Sequence, residues 1–206
     1  MDITGSDLNE YARDILTELG NIGAGNAATS LSVMLHSKID MGVPEVKVCD
    51  FDGLENLVGN PEEIVASVFS IISGGFDAII AFLLTVDDAK KFVKLAFNDD
   101  TLWNSDMGIS AINEISNILI GSYAAALETL TETKIRYSLP EACIDMAGAV
   151  LSVPCIEYCQ MSDKSLIISS DLMIGDYKID GHLLLISYSN SYDVLLQKLG
   201  IGGMNE

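Results

Sequence analysis

The sequence has 206 residues, and its 11 lysines and arginines against 30 aspartates and glutamates give a formal net charge of −19. Because 49% of the residues are apolar, the chain can bury a sizeable core, which excludes the disordered class and predicts one or two domains. The acidic charge excludes a nucleic-acid-binding surface and disfavours an anionic membrane, since both require clustered basic residues. We expect the partners to be proteins or small solutes.

Residues 1–6, MDITGS, contain neither the basic nor the apolar region of a signal peptide. One pair of cysteines is closely spaced, but neither His36 nor His182 lies at a ligand-like spacing in the sequence. We therefore expect a cytoplasmic protein that holds no metal and whose cysteines are buried thiols. The four cysteines are Cys49, Cys143, Cys155 and Cys159.

The first predicted element is a long helix over residues 7–36, and Asp7 begins the D-x-x-E variant of a capping box at its start. Asp14, Glu18 and Asn21 follow at i, i+4 and i+7. This spacing places them within about 60° of one another, on a face rotated roughly 100° from the apolar stripe of the helix. The sequence therefore predicts a polar row at the border with solvent.

A short strand over residues 46–51 is predicted next. Residues 64–86 then form a 23-residue segment in which Asp77 is the single charge, a length that would also span a membrane. The centre of this segment, SGGFD, is typical of a turn, and both flanks are rich in β-branched and aromatic residues. We predict a β-hairpin rather than a membrane span, followed by a helix over residues 87–95.

The second half of the chain repeats the first. Residues 14–45 align without a gap to residues 110–141, an offset of 96, and ten aligned positions are identical. A strand, a hairpin and a helix are again predicted after the repeated stretch, as in the first half. Their segments are residues 142–151, 166–174 with 182–188, and 191–199.

These elements predict an α/β (α+β) fold made of two αβββα units, with a mostly antiparallel sheet and two long motif-bearing helices. The units span residues of about 6–97 and 106–200, and an acidic polar connector over residues 98–106 joins them. Each unit alone would expose one face of its sheet and of its long helix. We therefore expect the units to pack around a pseudo-twofold axis as one domain over residues 1–206.

The second long helix carries the polar row again, as Ser110, Glu114 and Asn117. In both copies a proline, Pro44 or Pro140, follows the asparagine by 23 residues, and the chain has only four prolines. A single E-x-x-N is common on solvated helix faces, and nearby glycines often serve only close packing. Two copies at the same helical phase favour a functional face instead.

With both motifs complete, the chain resembles the CheC/CheX/FliY family of phosphatases, which act on the phosphorylated chemotaxis response regulator CheY. The family pattern is Asp or Ser, three residues, Glu, two residues, Asn, twenty-two residues, Pro. Residues 18–32, ELGNIGAGNAATSLS, are similar to the first helix of the family, and the resemblance extends over essentially the whole chain.

The resemblance implies hydrolysis of an aspartyl phosphate on a receiver domain that itself supplies Mg²⁺ and a lysine, so no cofactor is expected on this chain. Asn21 and Asn117 would orient the attacking water, because an amide both donates and accepts hydrogen bonds without adding charge. Glu18 and Glu114 would pair with a lysine of the receiver and define the docking geometry.

Four further motif residues have supporting roles under this resemblance. Asp14 and Ser110 would lie at the rim of the docking surface. Pro44 and Pro140 would shape the turn into the following strand, because proline restricts φ and has no backbone donor.

The family also implies a second partner, the receptor-modifying deamidase CheD. Residues 144–149, IDMAGA, resemble the family segment for that contact, which makes Asp145 and Met146 candidate partner-binding residues. The alternative at this segment is a buried strand with one exposed aspartate.

The sequence allows two other interpretations. Residues 23–28 match G-x-G-x-x-A, but the helix predicted before them excludes the strand that a dinucleotide-binding turn requires. The remaining alternative is a noncatalytic adaptor that binds CheD or a flagellar-switch component through the two long helices.

Overall fold

The computed structural model describes residues 10–49, 60–157, 161–174, 177–188 and 191–201. The helices are α1 (Glu10–Leu35), α2 (Val86–Phe97), α3 (Asp106–Thr131), α4 (Ala147–Glu157) and α5 (Ser191–Lys198), with a 3₁₀ turn at Asp100–Leu102. The strands are β1 (Ile39–Met41), β2 (Glu45–Cys49), β3 (Ile64–Ser73), β4 (Ala78–Thr85), β5 (Arg136–Tyr137), β6 (Glu141–Met146), β7 (Met161–Ile174) and β8 (Tyr177–Tyr188).

Within the described residues, the eight strands form one antiparallel sheet in the order β1, β7, β8, β4, β3, β5, with β2 also beside β7 and β6 beside β3. The two hairpins meet at the centre of the sheet, where Ala81 of β4 lies opposite Leu184 of β8. If β1 is matched with β5, β2 with β6, β3 with β7 and β4 with β8, the strand order read from one edge of the sheet is the same as the order read from the other edge. Each half therefore supplies a central hairpin and lends its short strands to the hairpin of the other half.

The main core lies between the sheet and the two long helices. Leu16 of α1, Leu119 of α3 and Phe82 of β4 are all buried there. Each such side chain contributes roughly 1.5–3 kcal/mol through removal of its apolar surface from water. The opposite face of the sheet is covered in part by α4, whose Val150 packs with Val65 of β3.

The long helices α1 and α3 approach closely where α1 has a glycine. A side chain at Gly23 would overlap the ring of Tyr123 on α3, so the glycine makes room for that ring. This contact explains why α1 tolerates a residue that lowers helix stability by about 1 kcal/mol relative to alanine.

The two long helices end in the same way. His36 after α1 and Glu132 after α3 both have left-handed backbone conformations, with φ of 48° and 49°, and they are separated by the 96-residue offset. In both halves a side chain of the last turns accepts a hydrogen bond from the backbone N–H seven residues later, namely Ser32 at 3.2 Å and Glu128 at 3.1 Å. The matched geometry is what the predicted repeat requires, while the boundaries of the two units stay a prediction.

The mixed fold class, the mostly antiparallel sheet and the two long motif-bearing helices are confirmed. Residues 64–86 form the predicted hairpin of β3 and β4, and no helix in the described part of the chain is both long and apolar enough to cross a bilayer. Each half has one short strand, β1 or β5, beyond the predicted αβββα pattern, because two or three residues are too few to show an alternating pattern. The predicted capping residue Asp7 lies outside the described residues.

The strand predicted over residues 142–151 is wrong in its second part. Strand β6 ends at Met146, and α4 begins at Ala147. The backbone N–H groups of Ala147 and Gly148 donate to the carbonyls of Glu63 and Pro61, at 2.8 and 2.9 Å, so they leave the sheet for the loop before β3. Those contacts with distant residues turn an apolar segment into a helix.

Candidate functional site

The polar row of α1 faces solvent. Asp14, Glu18 and Asn21, which we call the first ridge, are all exposed, whereas Leu16 and Leu19 on the other side of the helix are buried. The ridge therefore lies on the face that its helical phase predicts, within reach of a docking protein.

The corresponding row of α3 is less open. Ser110 and Glu114 are exposed, but Asn117 is half-buried; these three residues are the second ridge. The Ser110 hydroxyl donates to the Asp106 carbonyl at 2.7 Å, so its hydrogen is occupied within its own helix. This bond agrees with a peripheral position for residue 110.

The motif proline of the first half lies against the ridge helix. An added Cβ at Gly20 would be 2.8 Å from Pro44 Cβ, closer than two such carbons approach in proteins. Gly20 thus lets the loop between β1 and β2 rest directly on α1, beside Asn21, and Pro44 is buried by this contact. The proline positions the loop against the ridge and leads into β2.

The second half differs at the matching position. The residue beneath the ridge is Ser116, which is fully buried, and its hydroxyl has no hydrogen-bond partner within the described residues. Pro140 is only half-buried. The motif proline is therefore less closely covered here than in the first half.

The second ridge also has a neighbour that the first lacks. The Tyr137 hydroxyl lies over α3 at Gly121, 2.8 Å from where a Cβ would stand, one helical turn beyond Asn117. At the matching Gly25 of α1, nothing lies within 4 Å of that position. A phenol thus borders the second ridge, while the first ridge is open at that point.

The ridge carboxylates are available to a partner. In the described part of the chain, neither Glu18 nor Glu114 takes part in an ion pair, although lysines elsewhere are paired, for example Lys38 with Asp40 at 2.6 Å. An unpaired exposed carboxylate can accept a charge-assisted hydrogen bond from a lysine of another protein.

The ridges do not resemble a metal centre. Among the residues that the structure describes, no group of three or more His, Cys, Asp or Glu side chains could hold a metal ion. The first ridge brings two carboxylates and one amide together and the second one carboxylate and one amide, whereas Mg²⁺ prefers six oxygen ligands in octahedral geometry. The absence of a cofactor on this chain stays a prediction.

The candidate segment for the second partner lies at the end of β6. Asp145 and Met146 are exposed, and Met146 lies opposite the exposed Ile64 of β3, so this strand end is not buried. The Asp145 carboxylate accepts a hydrogen bond from the backbone N–H of Met146 at 2.8 Å.

Nearby Cys143 is a half-buried free thiol. Burial, followed by the negative charge of Asp145, raises the pKa of this thiol. The side chains of the other cysteines lie outside the described part.

The fold is shared with solved structures of FliY, FliM and CheX proteins. FliY from Thermotoga maritima matches with a TM-score of 0.73 at 20% identity, covering 94% of this chain and 98% of that one. A chain of the CheX–CheY–BeF3–Mg²⁺ complex from Borrelia burgdorferi matches with a TM-score of 0.53 at 16% identity, covering 80% of this chain and 96% of that one. At these identities the likeness shows the fold alone.

The sequence comparisons give the family. The profile of the CheC-like family matches residues 12–48 and 107–142, the two stretches that contain the ridges and their prolines. The CheY-P phosphatase CheC of Bacillus subtilis (strain 168) is 32% identical over 200 residues, which cover 94% of this chain and 96% of that protein. The chain belongs to the CheC-like family, as its motifs predict.

Proposed function

We propose that this protein is a phosphatase that hydrolyses the aspartyl phosphate of a CheY-type response regulator. The observation that carries this proposal is the pair of solvent-facing Glu/Asn ridges, in a chain that is 32% identical over 94% of its length to a CheY-P phosphatase. The CheX–CheY complex among the fold relatives supports a receiver domain as partner.

The proposed reaction requires this chain only to position a water molecule. An acyl phosphate on a receiver is already activated, and the Mg²⁺ expected on that partner neutralises charge on the phosphoryl oxygens. The phosphatase therefore needs no nucleophile of its own; it places a water in line with the phosphorus and so avoids the entropy cost of finding it. Asn21 and Asn117 are the groups assigned to this task, since the amide oxygen accepts a hydrogen from water while the amide nitrogen donates to the phosphoryl group.

The glutamates act in docking. Glu18 and Glu114 each lie about one helical turn from the asparagine of the same ridge. Direct contact between either carboxylate and the anionic phosphoryl group would be repulsive. Pairing with a lysine of the receiver turns that charge into an orienting contact. Asp14 and Ser110 lie at the edge of the surface that contacts the receiver, and Pro44 and Pro140 hold the neighbouring loops in place.

The test is the lifetime of a phosphorylated receiver with and without this protein. Asn21→Ala combined with Asn117→Ala is expected to lower the stimulated hydrolysis by about 10²–10³-fold, because both water-orienting amides are lost. Receiver binding, measured with a BeF3-loaded receiver, should be largely kept. A double variant that is as active as the wild type would overturn the proposal.

The same experiment separates the adaptor alternative. A noncatalytic protein that binds CheD or a flagellar-switch component would leave the decay of the acyl phosphate unchanged even in its wild-type form.

We further propose that a CheD-type deamidase binds at the exposed end of β6. Asp145→Lys should then weaken that binding without changing phosphatase activity, and equal binding by the variant would refute this contact.

A further inference from the structure

The two most exposed large apolar side chains of the described residues occupy the same position in the two halves. Val43 is 83% exposed and Leu139 is 86% exposed, and the 96-residue offset separates them. A single exposed apolar side chain needs no explanation. The same exposure at one position of both halves, with a different residue in each, points to a shared use of the position.

Both side chains lie beside a ridge. Val43 directly precedes Pro44, which rests on Gly20, the neighbour of Asn21. Leu139 lies in the equivalent loop of the second half, between β5 and β6. There β5 places the Tyr137 hydroxyl over α3 at Gly121. Each loop thus brings one water-exposed apolar side chain to the flank of a Glu/Asn ridge.

A second matched pair lies at the other end of each ridge. Tyr11 is 50% exposed and Met107 is 53% exposed, and the same offset separates them. Tyr11 precedes Glu18 by seven residues, which brings it to within about 20° of the same helix face and about 10 Å along the axis. Met107 stands in the same relation to Glu114. Apolar side chains therefore flank the polar row on two sides in both halves.

We propose that these four side chains form an apolar rim that binds nonpolar side chains of the phosphorylated receiver around its phosphorylation site. The rim consists of Tyr11 and Val43 at the first ridge and of Met107 and Leu139 at the second. This inference rests on the proposed function and adds to it the source of binding affinity.

The charge of the chain is a further reason for such a rim. With a net charge of −19, this chain repels a phosphorylated, anionic protein surface at long range. A ridge of carboxylates and amides supplies orientation, but exposed polar pairs contribute little to affinity. Desolvation of apolar side chains is the short-range contribution that overcomes this repulsion. Val43 precedes the proline that rests on α1 beside Asn21, and Tyr11 lies on the same helix face as Glu18, so we expect a receiver that reaches the asparagine also to cover the rim.

The test is the double variant Val43→Ser, Leu139→Ser, assayed for hydrolysis over a range of phosphorylated receiver concentrations. The half-saturating concentration should rise by roughly tenfold while the limiting rate stays within twofold, since the rim binds and does not react. The matched control is Val33→Ser, because Val33 is 71% exposed on α1 but lies far beyond the ridge, and it should change neither value. A second double variant, Val43→Leu with Leu139→Met, should bind the receiver as tightly as the wild type, because the rim requires apolar surface rather than one shape.

Three outcomes overturn the rim. One is an unchanged half-saturating concentration, with the double asparagine variant inactive; this result leaves the proposed function standing. Another is a fall in the limiting rate alone. The third is a wild type that elutes as a dimer on gel filtration and a double variant that elutes as a monomer with receiver binding unchanged, which would assign the rim to a second copy of this chain. Activity in the double asparagine variant would instead count against the proposed function.

Discussion

The two ridges have the same Glu, Asn and Pro, yet their surroundings differ. Beneath the first ridge Gly20 lets Pro44 rest on the helix, and Asn21 is exposed. Beneath the second ridge is Ser116, a buried residue whose hydroxyl has no partner in the described part of the chain, and Asn117 is half-buried. Identical motif residues therefore do not make identical sites: both the residue packed behind the motif and the exposure of its asparagine differ between the two halves.

The difference also has an energetic side. A buried hydroxyl without a hydrogen bond costs about 1–3 kcal/mol. The Asn113 side-chain oxygen, one turn before Asn117, is likewise buried without a partner among the described residues. The helix of the second ridge thus carries two buried polar atoms without hydrogen-bond partners, and its asparagine is also the less exposed of the two.

Among substitutions that separate the two ridges, the largest effect is expected from charge reversal at the glutamates, tested one ridge at a time. Glu18→Lys in an Asn117→Ala background should raise the half-saturating receiver concentration by at least about tenfold, because the ion pair with the receiver becomes a repulsion. The limiting rate should fall much less. Asp77→Lys changes the net charge equally in the exposed β3–β4 turn and serves as control. A loss confined to the limiting rate would make Glu18 a group of the chemical step.

A smaller effect separates the two ridges from each other. Asn21→Ala should remove more than half of the wild-type hydrolysis rate at low receiver concentration, and Asn117→Ala less than half, because Asn21 is the more exposed amide. Initial rates of the two single variants in one assay give the comparison. Equal losses would mean that exposure of the amide does not set the rate.

The smallest effect concerns stability at the packing position. Gly20→Ala should lower the free energy of unfolding by about 1–3 kcal/mol, because its Cβ would press on Pro44 and the gain in helix propensity is only about 1 kcal/mol. Gly25→Ala is the matched control on the same helix. Nothing lies within 4 Å of its added Cβ, so that variant should be slightly more stable than the wild type. Equal changes in the free energy of unfolding of the two variants, measured by chemical denaturation, would refute the claim that Gly20 makes room for Pro44.

Sequence patterns predicted those parts of the fold whose residues alternate or repeat over a long stretch. The phase of Glu18 and Asn21 on α1 follows from helix geometry alone, and the turn residues between β3 and β4 mark the hairpin. The change from β6 to α4 at Ala147 could not be found in this way, because a short apolar run fits either a strand or a buried helix. It depends on hydrogen bonds to Glu63 and Pro61, which lie more than 80 residues earlier in the chain.

The candidate site shows the same division. The internal repeat predicts the motif residues, but it does not predict their unequal exposure. The residues around the two asparagines also differ: Ser116 stands where the first half has Gly20, and the Tyr137 hydroxyl lies over α3 at Gly121, where the first half is open. Their effect on α3 depends on which elements pack against it, and no periodicity in the sequence carries that information.

The central claim is that the chain has two separate working ridges. The most direct measurement is the hydrolysis rate of a phosphorylated receiver, at low concentration, by the wild type, by Asn21→Ala, by Asn117→Ala and by the double variant. We predict that the rates of the two single variants add up to that of the wild type and that the double variant is slower than the wild type by about 10²–10³-fold. A single substitution that abolishes all hydrolysis, or a double variant that retains it, would contradict the account.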